Sequence, residues 1–247
     1  MHEPNPISVA AAASGEPEFR KIGVGPWAEE HPGEPIPDDP RLDQQLLAEG
    51  DRRNVLDRYR YWSVEAIKAD LDTRGRHGFE VAVENWTHDF NIGSMVRTAN
   101  AFAAGRVHIV GPHKWNRKGA LMTELYQHVH HHPSIQELVD DWHARLAADR
   151  AEALVAGDTA ALARLDDAKV IALDIIPGAV PMETYRFPER CLLLFGAEGP
   201  GLSQKALDLA DDVVYISQFG SVRSINAGAA AAVAMHAWIA QHADIRG

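Results

Sequence analysis

The sequence predicts an α/β fold, in which a mostly parallel β-sheet carries helices on both faces and follows a helical or irregular N-terminal extension. Three observations predict this class. From Phe79 onward, short apolar runs alternate with helical patterns, as in strands joined by helical crossovers. The chain of 247 residues is long enough to bury a substantial core. Residues 1–40, in contrast, are rich in proline, glycine and acidic residues and lack an apolar period.

The predicted boundary between extension (1–77) and sheet domain (78–247) lies before the first strand. In the extension, residues 1–40 are expected to be largely irregular. Helices are expected at about 41–60 and at 63–72, where Ser63 suits the N-cap. In the sheet domain, strands are expected at 79–84, 106–110, 169–174, 190–195 and 212–216. The helices there are expected at 92–104, 134–150, about 151–166, 202–210 and 225–241, with a break near Gly157-Asp158.

Cysteine content and hydropathy exclude several classes of protein. The single cysteine, Cys191, lies in an apolar run, which favours a buried structural thiol over a nucleophile. One cysteine forms neither a disulfide framework nor a cysteine-based zinc site within the chain. No apolar stretch has the length of a membrane span, and the N-terminus lacks a secretory pattern. We therefore expect a cytoplasmic protein without a membrane partner.

Charge is distributed unevenly along the chain. The net charge is −11, but residues 1–50, 51–120 and 121–247 carry −7, +4 and −8. In the basic third, arginines and lysines alternate with Tyr59, Tyr61, Trp62 and Trp115, a pattern suited to phosphate contact and base stacking. The predicted RNA contacts are Arg52, Arg53, Arg58, Arg60, Lys114, Arg117 and Lys118. A solvated helix face with ordinary core aromatics is the alternative for the 52–62 segment.

The first of three chemistry-bearing turns follows the strand at 79–84 and the polar turn 85–89. It runs from Asn91 through Gly93 to Arg97 and opens a helix. The free N–H groups of such a helix start favour an anionic ligand group. Arg97 would lie about one and a half turns further on, where its guanidinium is able to clamp a phosphate bidentately. An ordinary N-cap with a surface arginine is the alternative.

The second turn follows the most apolar strand candidate and reads Gly196-Ala197-Glu198-Gly199-Pro200-Gly201. A glycine-rich turn at a strand end is where open α/β sheets bind ligands. The turn is not a phosphate-binding loop, because no Lys-Ser or Lys-Thr follows the last glycine. Glu198 suits a cationic or hydroxyl-bearing ligand, because a carboxylate repels phosphate oxygens. A plain tight turn is the alternative.

The third turn, from Ile216 through Gly220 to Asn226, leads into a run of small residues. Such a run has high helix propensity and lets another backbone pack close to it. Ser224 and Asn226 at the mouth of this helix present a hydroxyl and an amide to a ligand. A helix buried against the sheet is the alternative.

Together, these turns resemble the three motifs of the SpoU/TrmH family of SPOUT RNA methyltransferases. The family patterns are Asn-x-Gly-x-x-x-Arg, Gly-x-Glu-Gly-x-Gly and Ile-Pro-Met-x-Gly-x-x-x-Ser-Leu-Asn, and the similarity covers roughly residues 79–241. The matching residues are Asn91, Gly93, Arg97, Gly196, Glu198, Gly199, Gly201, Ile216, Gly220, Ser224 and Asn226. Three departures occur: Ser217-Gln218 replaces Pro-Met on the adenine side of the implied pocket, Ile225 replaces Leu, and Ala197 stands where Asn or Ser is usual.

The resemblance implies transfer of a methyl group from S-adenosylmethionine (SAM) to a ribose 2′-hydroxyl of tRNA or rRNA. It also implies a homodimer and a C-terminal trefoil knot. The catalytic candidates are Arg97, Asn91, Glu198, Ser224 and Asn226. Because a guanidinium stays protonated in proteins, Arg97 is expected to orient the target phosphate and hydroxyl. The cofactor-binding candidates are Phe195, Gly196, Ala197, Glu198, Gly199, Gly201, Ile216, Gln218, Ser224, Ile225 and Asn226.

Two other functions stay open at this point. The first is an RNA-binding protein that retains the fold without catalysis, and the intact Arg97, Glu198 and Asn226 count against it. The second is a nucleotide-binding hydrolase that uses the glycine turn, and the missing phosphate-cradling lysine counts against it.

Weaker signals lie outside the three motifs. The histidine-rich segment 127–133 matches no standard zinc spacing, so we expect no metal and interpret it as a loop near the strand ends that faces RNA or cofactor. Asp174 is expected to cap or solvate the turn leading to Pro177-Gly178. Neither Asp174 nor Glu183 is given a catalytic role.

Overall fold

The computed structural model describes residues 5–16, 22–87 and 90–244. His88 and Asp89, in the polar turn before the first motif, therefore lie outside the described residues. The chain divides into two compact units, residues 1–63 and 64–247. The helix after Ser63 groups with the second unit, and the functional boundary at residues 77 and 78 stays a prediction.

The first unit contains short helices: α1 (Pro6–Ser14), α2 (Trp27–Glu30) and α3 (Gln44–Glu49), followed by a 3₁₀ turn at Asp57–Tyr59. The described residues of segment 1–40 are thus less irregular than expected. The helix expected at about 41–60 was wrong in length, because Gly50, with φ 89°, ends α3. Asp43 caps α3 by accepting hydrogen bonds from the backbone N–H groups of residues 45 and 46.

A seven-stranded, all-parallel sheet organises the second unit, which confirms the predicted fold class. In space the strands follow the order β3-β2-β1-β6-β4-β7-β5. Their bounds are β1 (Phe79–Glu84), β2 (Val107–Val110), β3 (Val129–His132), β4 (Lys169–Leu173), β5 (Val180–Pro181), β6 (Cys191–Phe195) and β7 (Asp212–Tyr215). The five predicted strands agree with these bounds to within one residue at either end, and β3 and β5 are additional.

Helices cover both faces of the sheet. Their bounds are α4 (Val64–Arg74), α5 (Ile92–Ala101), α6 (Ile135–Ala156), α7 (Thr159–Asp166), α8 (Gln204–Leu209) and α9 (Ala227–His242). One face of β1, carrying Phe79, Val81 and Val83, packs with α5 and α9. The other face packs with α6 and α8. The break at Gly157-Asp158 is confirmed: Gly157 adopts φ 68° and Asp158 caps α7.

The histidine-rich segment is a strand and not the expected loop. Val129–His132 pairs with β2 at the edge of the sheet, and Val107 lies opposite Val129. The reason is tertiary: β2 is a buried strand whose outer edge offers free backbone groups, and pairing satisfies them. The periodicity of the histidine-rich segment itself does not indicate that β2 will pair with it.

The core centres on β1, β4 and β6. Leu192, Leu193 and Cys191 of β6 are fully buried, which confirms the interpretation of the single cysteine as a buried thiol. Among the described residues, no helix is long and apolar enough to cross a membrane. The trefoil knot stays a prediction.

Candidate functional site

The three motif turns meet at the carboxyl edge of the sheet. β1, which leads to Asn91, is paired with β6, which leads to the glycine turn; Val83 lies opposite Phe195. In the sheet, β2 lies beside β1 on the side away from β6, and β4 lies beside β6 on the side away from β1. The strand order therefore switches between β1 and β6. Open α/β sheets bind ligands outside the carboxyl ends of their strands at such a switch point.

One residue from each motif joins a hydrogen-bonded trio. The side-chain amide of Asn91 donates to Glu198 Oε2. The amide of Asn226 donates to Glu198 Oε2 at 3.0 Å and to Asn91 Oδ1 at 2.9 Å. The trio therefore ties together turns that are separated by 107 and 135 residues in sequence.

The two asparagines play different local roles. Asn226 caps α9, because its Oδ1 accepts from the N–H of Ala229 at 3.1 Å. Asn91 precedes α5, but its side chain makes no cap bond to that helix. The alternative of an ordinary N-cap at Asn91 is therefore wrong. The side-chain amide of Asn91 instead donates to Glu198 of the second motif.

Glycines are required where these backbones approach one another. A Cβ built on Gly196 would lie 2.0 Å from the carbonyl carbon of Gly201, so the turn closes on itself only with glycine there. Gly199 and Gly201 adopt φ 96° and 75°, in the left-handed region. A Cβ on Gly228 would lie 2.7 Å from Ser94 Oγ, which fixes the close approach of α5 and α9.

A cavity of about 500 Å³ opens beside the trio. Its wall comes from the ends of β4, β6 and β7, from the whole glycine turn and from segment 214–225. Ten of the eleven predicted cofactor-binding residues line it: Phe195, Gly196, Ala197, Glu198, Gly199, Gly201, Ile216, Gln218, Ser224 and Ile225. The eleventh, Asn226, lies in the adjoining trio.

Arg97 and Ser224, the other two catalytic candidates, are exposed. Arg97 lies on α5 outside the cavity wall, and no hydrogen bond or ion pair joins it to the described residues. Ser224 lines the cavity and likewise makes no hydrogen bond with a described residue. Both polar groups are thus available to a ligand.

Two acids considered in the sequence take up structural positions around the cavity. Asp174 accepts from the N–H of Ile175 at 2.7 Å, as expected of a residue that caps the turn, and from the N–H of Leu202 at 3.2 Å. Glu183 accepts from both the N–H and the hydroxyl of Ser217. Hydrogen bonds from its own backbone and from Ser217 lower the pKa of Glu183.

Glu84, at the carboxyl end of β1, was missed by sequence reasoning. Only 2% exposed, it accepts from the N–H of Ser203 at 2.7 Å, the hydroxyl of Ser203 at 2.8 Å and the indole of Trp86 at 3.0 Å. Ser203 in turn caps α8. Glu84 therefore anchors the end of the glycine turn to β1. The available signal was an acid at the end of a strand, directly before the polar turn.

The RNA-contact candidates fall into two groups. Arg53 is engaged in a buried ion pair with Asp51, its side chain only 10% exposed, and Arg60 is bound to the carbonyl of Arg53, so the geometry disfavours both as RNA contacts. Tyr59 and Tyr61 are core residues, as in the alternative considered for this segment. The exposed candidates are Arg52, Arg58, Lys114, Arg117 and Lys118.

A buried ionic network lies on the sheet face beneath α6. Glu80, 1% exposed, accepts from His108 Nε2 at 2.8 Å and from both terminal nitrogens of Arg145 at 2.7 and 2.8 Å. His108 Nδ1 lies 2.9 Å from His132 Nε2. Burial would raise the pKa of Glu80, but the bonds from His108 and Arg145 outweigh it and lower that pKa to about 2. Among the described residues, no three histidine, cysteine or acidic side chains are grouped so that they could hold a metal ion.

Comparison with known sequences identifies related proteins. The family model of the SpoU rRNA Methylase family matches residues 144–236. The tRNA (guanosine(18)-2′-O)-methyltransferase of Escherichia coli (strain K12) is 24% identical over 170 residues, which are 68% of this chain and 65% of that protein. The tRNA (guanosine(18)-2′-O)-methyltransferase of Saccharomyces cerevisiae is 38% identical over 58 residues, which are 24% of this chain and 4% of that protein.

Solved structures share the fold. The SpoU methyltransferase AviRb from Streptomyces viridochromogenes, in complex with AdoMet, matches with a TM-score of 0.56 and 26% identity, over 70% of this chain and 64% of that one. The A. aeolicus TrmH/SpoU tRNA modifying enzyme, at 14% identity and a TM-score of 0.56, shows the fold alone. This chain spans slightly less than two thirds of the E. coli relative and of AviRb. The motifs, the sheet and these relatives thus agree in their similarity to the SpoU/TrmH family of the SPOUT methyltransferases, whose model matches residues 144–236.

Proposed function

We propose that this protein transfers a methyl group from SAM to a ribose 2′-hydroxyl of tRNA or rRNA. The observation that carries the proposal is the trio of Asn91, Glu198 and Asn226, which joins all three motifs beside one cavity. The activity of the relatives from Escherichia coli and Saccharomyces cerevisiae, tRNA 2′-O-methylation, supports it. The AdoMet complex of AviRb supports SAM as the donor.

The cavity fits an adenosyl donor of this kind. Its volume of about 500 Å³ lies within the range of roughly 300–1,000 Å³ that small-molecule sites occupy. It combines backbone groups of the glycine turn with apolar side chains and with polar side chains, which are those of Asp174, Glu198, Tyr215, Gln218, Arg223 and Ser224. The carboxylate of Glu198 at its rim favours a cationic donor electrostatically.

The proposed mechanism relies on positioning. Bound SAM supplies an activated methyl group on a cationic sulfur. The glycine turn and segment 214–225 hold the donor, and the trio fixes the positions of the turns relative to each other. Arg97, exposed and without a bond to described residues, binds the target phosphate and orients the ribose hydroxyl toward the methyl group.

The proposal includes a homodimer in the cytoplasm, where tRNA and rRNA are found. Exposed apolar side chains support a second copy as partner: Phe219 is 96% exposed, Val222 61% and Val233, on α9, 45%. Light scattering across a dilution series measures the mass directly, and a monomer at all concentrations would contradict this part.

The decisive experiment combines assay and mapping. Purified protein is incubated with methyl-labelled SAM and total RNA, and the RNA is digested to nucleosides for mass spectrometry. We expect a 2′-O-methylated nucleoside. Ribose-methylation maps of cells with and without the gene then identify the RNA and the nucleotide. RNA binding with no methyl transfer, although SAM binds, would favour the non-catalytic alternative.

A further inference from the structure

One polar group in the wall of the cavity is both buried and without a hydrogen-bond partner. The side-chain oxygen of Gln218 is buried and has no hydrogen-bond partner. Gln218 lines the cavity, and no hydrogen bond joins its amide to a described residue. A buried polar atom without a partner costs free energy, and rotation of the amide toward a molecule in the cavity would recover that cost.

The wall that carries Gln218 is held in place by Glu183. The backbone N–H of Ser217 donates to Glu183 Oε1 at 3.1 Å, and its hydroxyl donates to Oε2 at 2.9 Å. A proline at position 217, the residue of the family pattern, has neither donor. The departure at 217 thus adds two bonds that fix the backbone next to Gln218.

The apolar character of this wall indicates which part of a ligand lies there. Val214 and Ile216 precede Gln218 along the chain and line the same cavity, together with Ile225. Such side chains suit a flat, uncharged heterocycle better than an ammonium or a carboxylate. A primary amide offers an acceptor and a donor in one plane, which matches the adjacent amine and ring nitrogen of an aminopurine.

We propose that Gln218 recognises the 6-amino edge of the adenine of the bound donor and that Ser217, clamped by Glu183, positions it. This inference rests on the proposed function and assigns a specificity role to a position where the family pattern has methionine. Methionine has similar length but only a weakly accepting thioether. The protein therefore discriminates between purines through a side chain, which the family pattern does not supply at this position.

The test compares two ligands on matched variants. S-adenosylhomocysteine and its analogue with hydrogen in place of the 6-amino group are titrated calorimetrically into wild type, Gln218→Met and Gln218→Glu. We expect wild type to bind the amino ligand about five- to tenfold more tightly, the effect of one buried hydrogen bond. Gln218→Met is expected to lose that preference. Gln218→Glu is expected to retain part of it, because a carboxylate still accepts from the amine.

The positioning role has its own readout. Glu183→Ala, a change at an exposed site, is expected to reduce the preference for the amino ligand without changing the thermal midpoint. An equal preference in wild type and Gln218→Met would overturn the inference and leave the proposed function intact. Failure of wild type to bind either ligand would overturn the proposed function itself.

Discussion

Arg97 is the residue on which the proposed chemistry depends most directly. Arg97→Ala is expected to reduce methyl transfer about 100-fold, because loss of orientation at the reacting centre has effects of this size. SAM affinity is expected to stay unchanged, since Arg97 lies outside the cavity wall. Initial rates and calorimetry measure the two quantities.

The role of the guanidinium geometry is separable from that of its charge. Arg97→Lys keeps the charge but removes the bidentate fork, and we expect activity to fall here as well. The matched control is Arg186→Lys, at another exposed arginine, which is expected to leave the rate unchanged. Near-normal activity of Arg97→Lys would show that a point charge is sufficient.

Gly196 is the second residue with a sharp expectation. Gly196→Ala places a methyl group 2.0 Å from the Gly201 backbone, so the turn has to open. We expect SAM binding to be lost and the protein to be destabilised by about 1–3 kcal/mol, the usual cost of overpacking. The control is Gly220→Ala, because a Cβ there meets nothing within 4 Å. Thermal unfolding measures the stability of both variants, and calorimetry measures their SAM affinity. SAM binding by Gly196→Ala would contradict the requirement for glycine at this turn.

At the residue scale, the sequence predicted which residues form the site better than it predicted their hydrogen-bond partners. Asn91, Glu198 and Asn226 were predictable because turn chemistry and motif spacing are local properties. Two of their three mutual bonds span 107 and 135 residues, and these depend on which strands pair. The structural roles of Glu84 and Gln218 were harder to predict from the sequence, because only the folded sheet reveals that their polar groups are buried.

At the scale of elements, the network beneath α6 predicts how stability depends on pH. The pKa of Glu80 lies at about 2 in the folded state, against an ordinary value of 4.5. Above about pH 4.5 its stabilising contribution is complete. As pH falls toward 2, the unfolded chain binds a proton that the folded state excludes, so the free energy of unfolding decreases, by about 3 kcal/mol for such a shift.

His132 extends the same trend to milder acid. Burial, followed by the charge of His108, lowers its pKa from 6.5 to about 4, so the folded state resists its protonation and stability falls as pH drops through this range. Urea denaturation between pH 7 and 3 measures both effects. Glu80→Gln is expected to be less stable at pH 7 and to show a shallower loss below pH 4.5. The exposed Glu152→Gln should follow wild type, and parallel curves for all three proteins would contradict the role of Glu80.

The elements that sequence reasoning missed have physical explanations. β3 and β5 are short edge strands whose formation requires a neighbour already in place. α1 carries local signals that composition obscured: Asn5 caps it, Pro6 occupies its first turn and Gly15 ends it with φ 75°. The strands with apolar runs, such as β6, were predicted almost to the residue because burial on both faces leaves a continuous pattern.

At the scale of the whole molecule, the two units give a test of substrate selection. A protein that begins at residue 64 keeps α4, whose Ile67 is buried and whose Asp72 lies 2.9 Å from His128. Starting at Phe79 would remove these contacts. We expect residues 64–247 to bind SAM with unchanged affinity but to methylate RNA more slowly, because the exposed Arg52 and Arg58 are lost. An unchanged rate on the same RNA would dismiss a role of the first unit in substrate selection.

Cys191 is a natural probe for opening of the central sheet. This sole thiol lies in a central strand with no solvent access, and burial raises its pKa. Alkylating reagents therefore reach it only in molecules whose sheet has separated. The labelling rate measures how often the middle of the sheet opens, without any engineered probe, and ligands that slow it do so by holding the strands together.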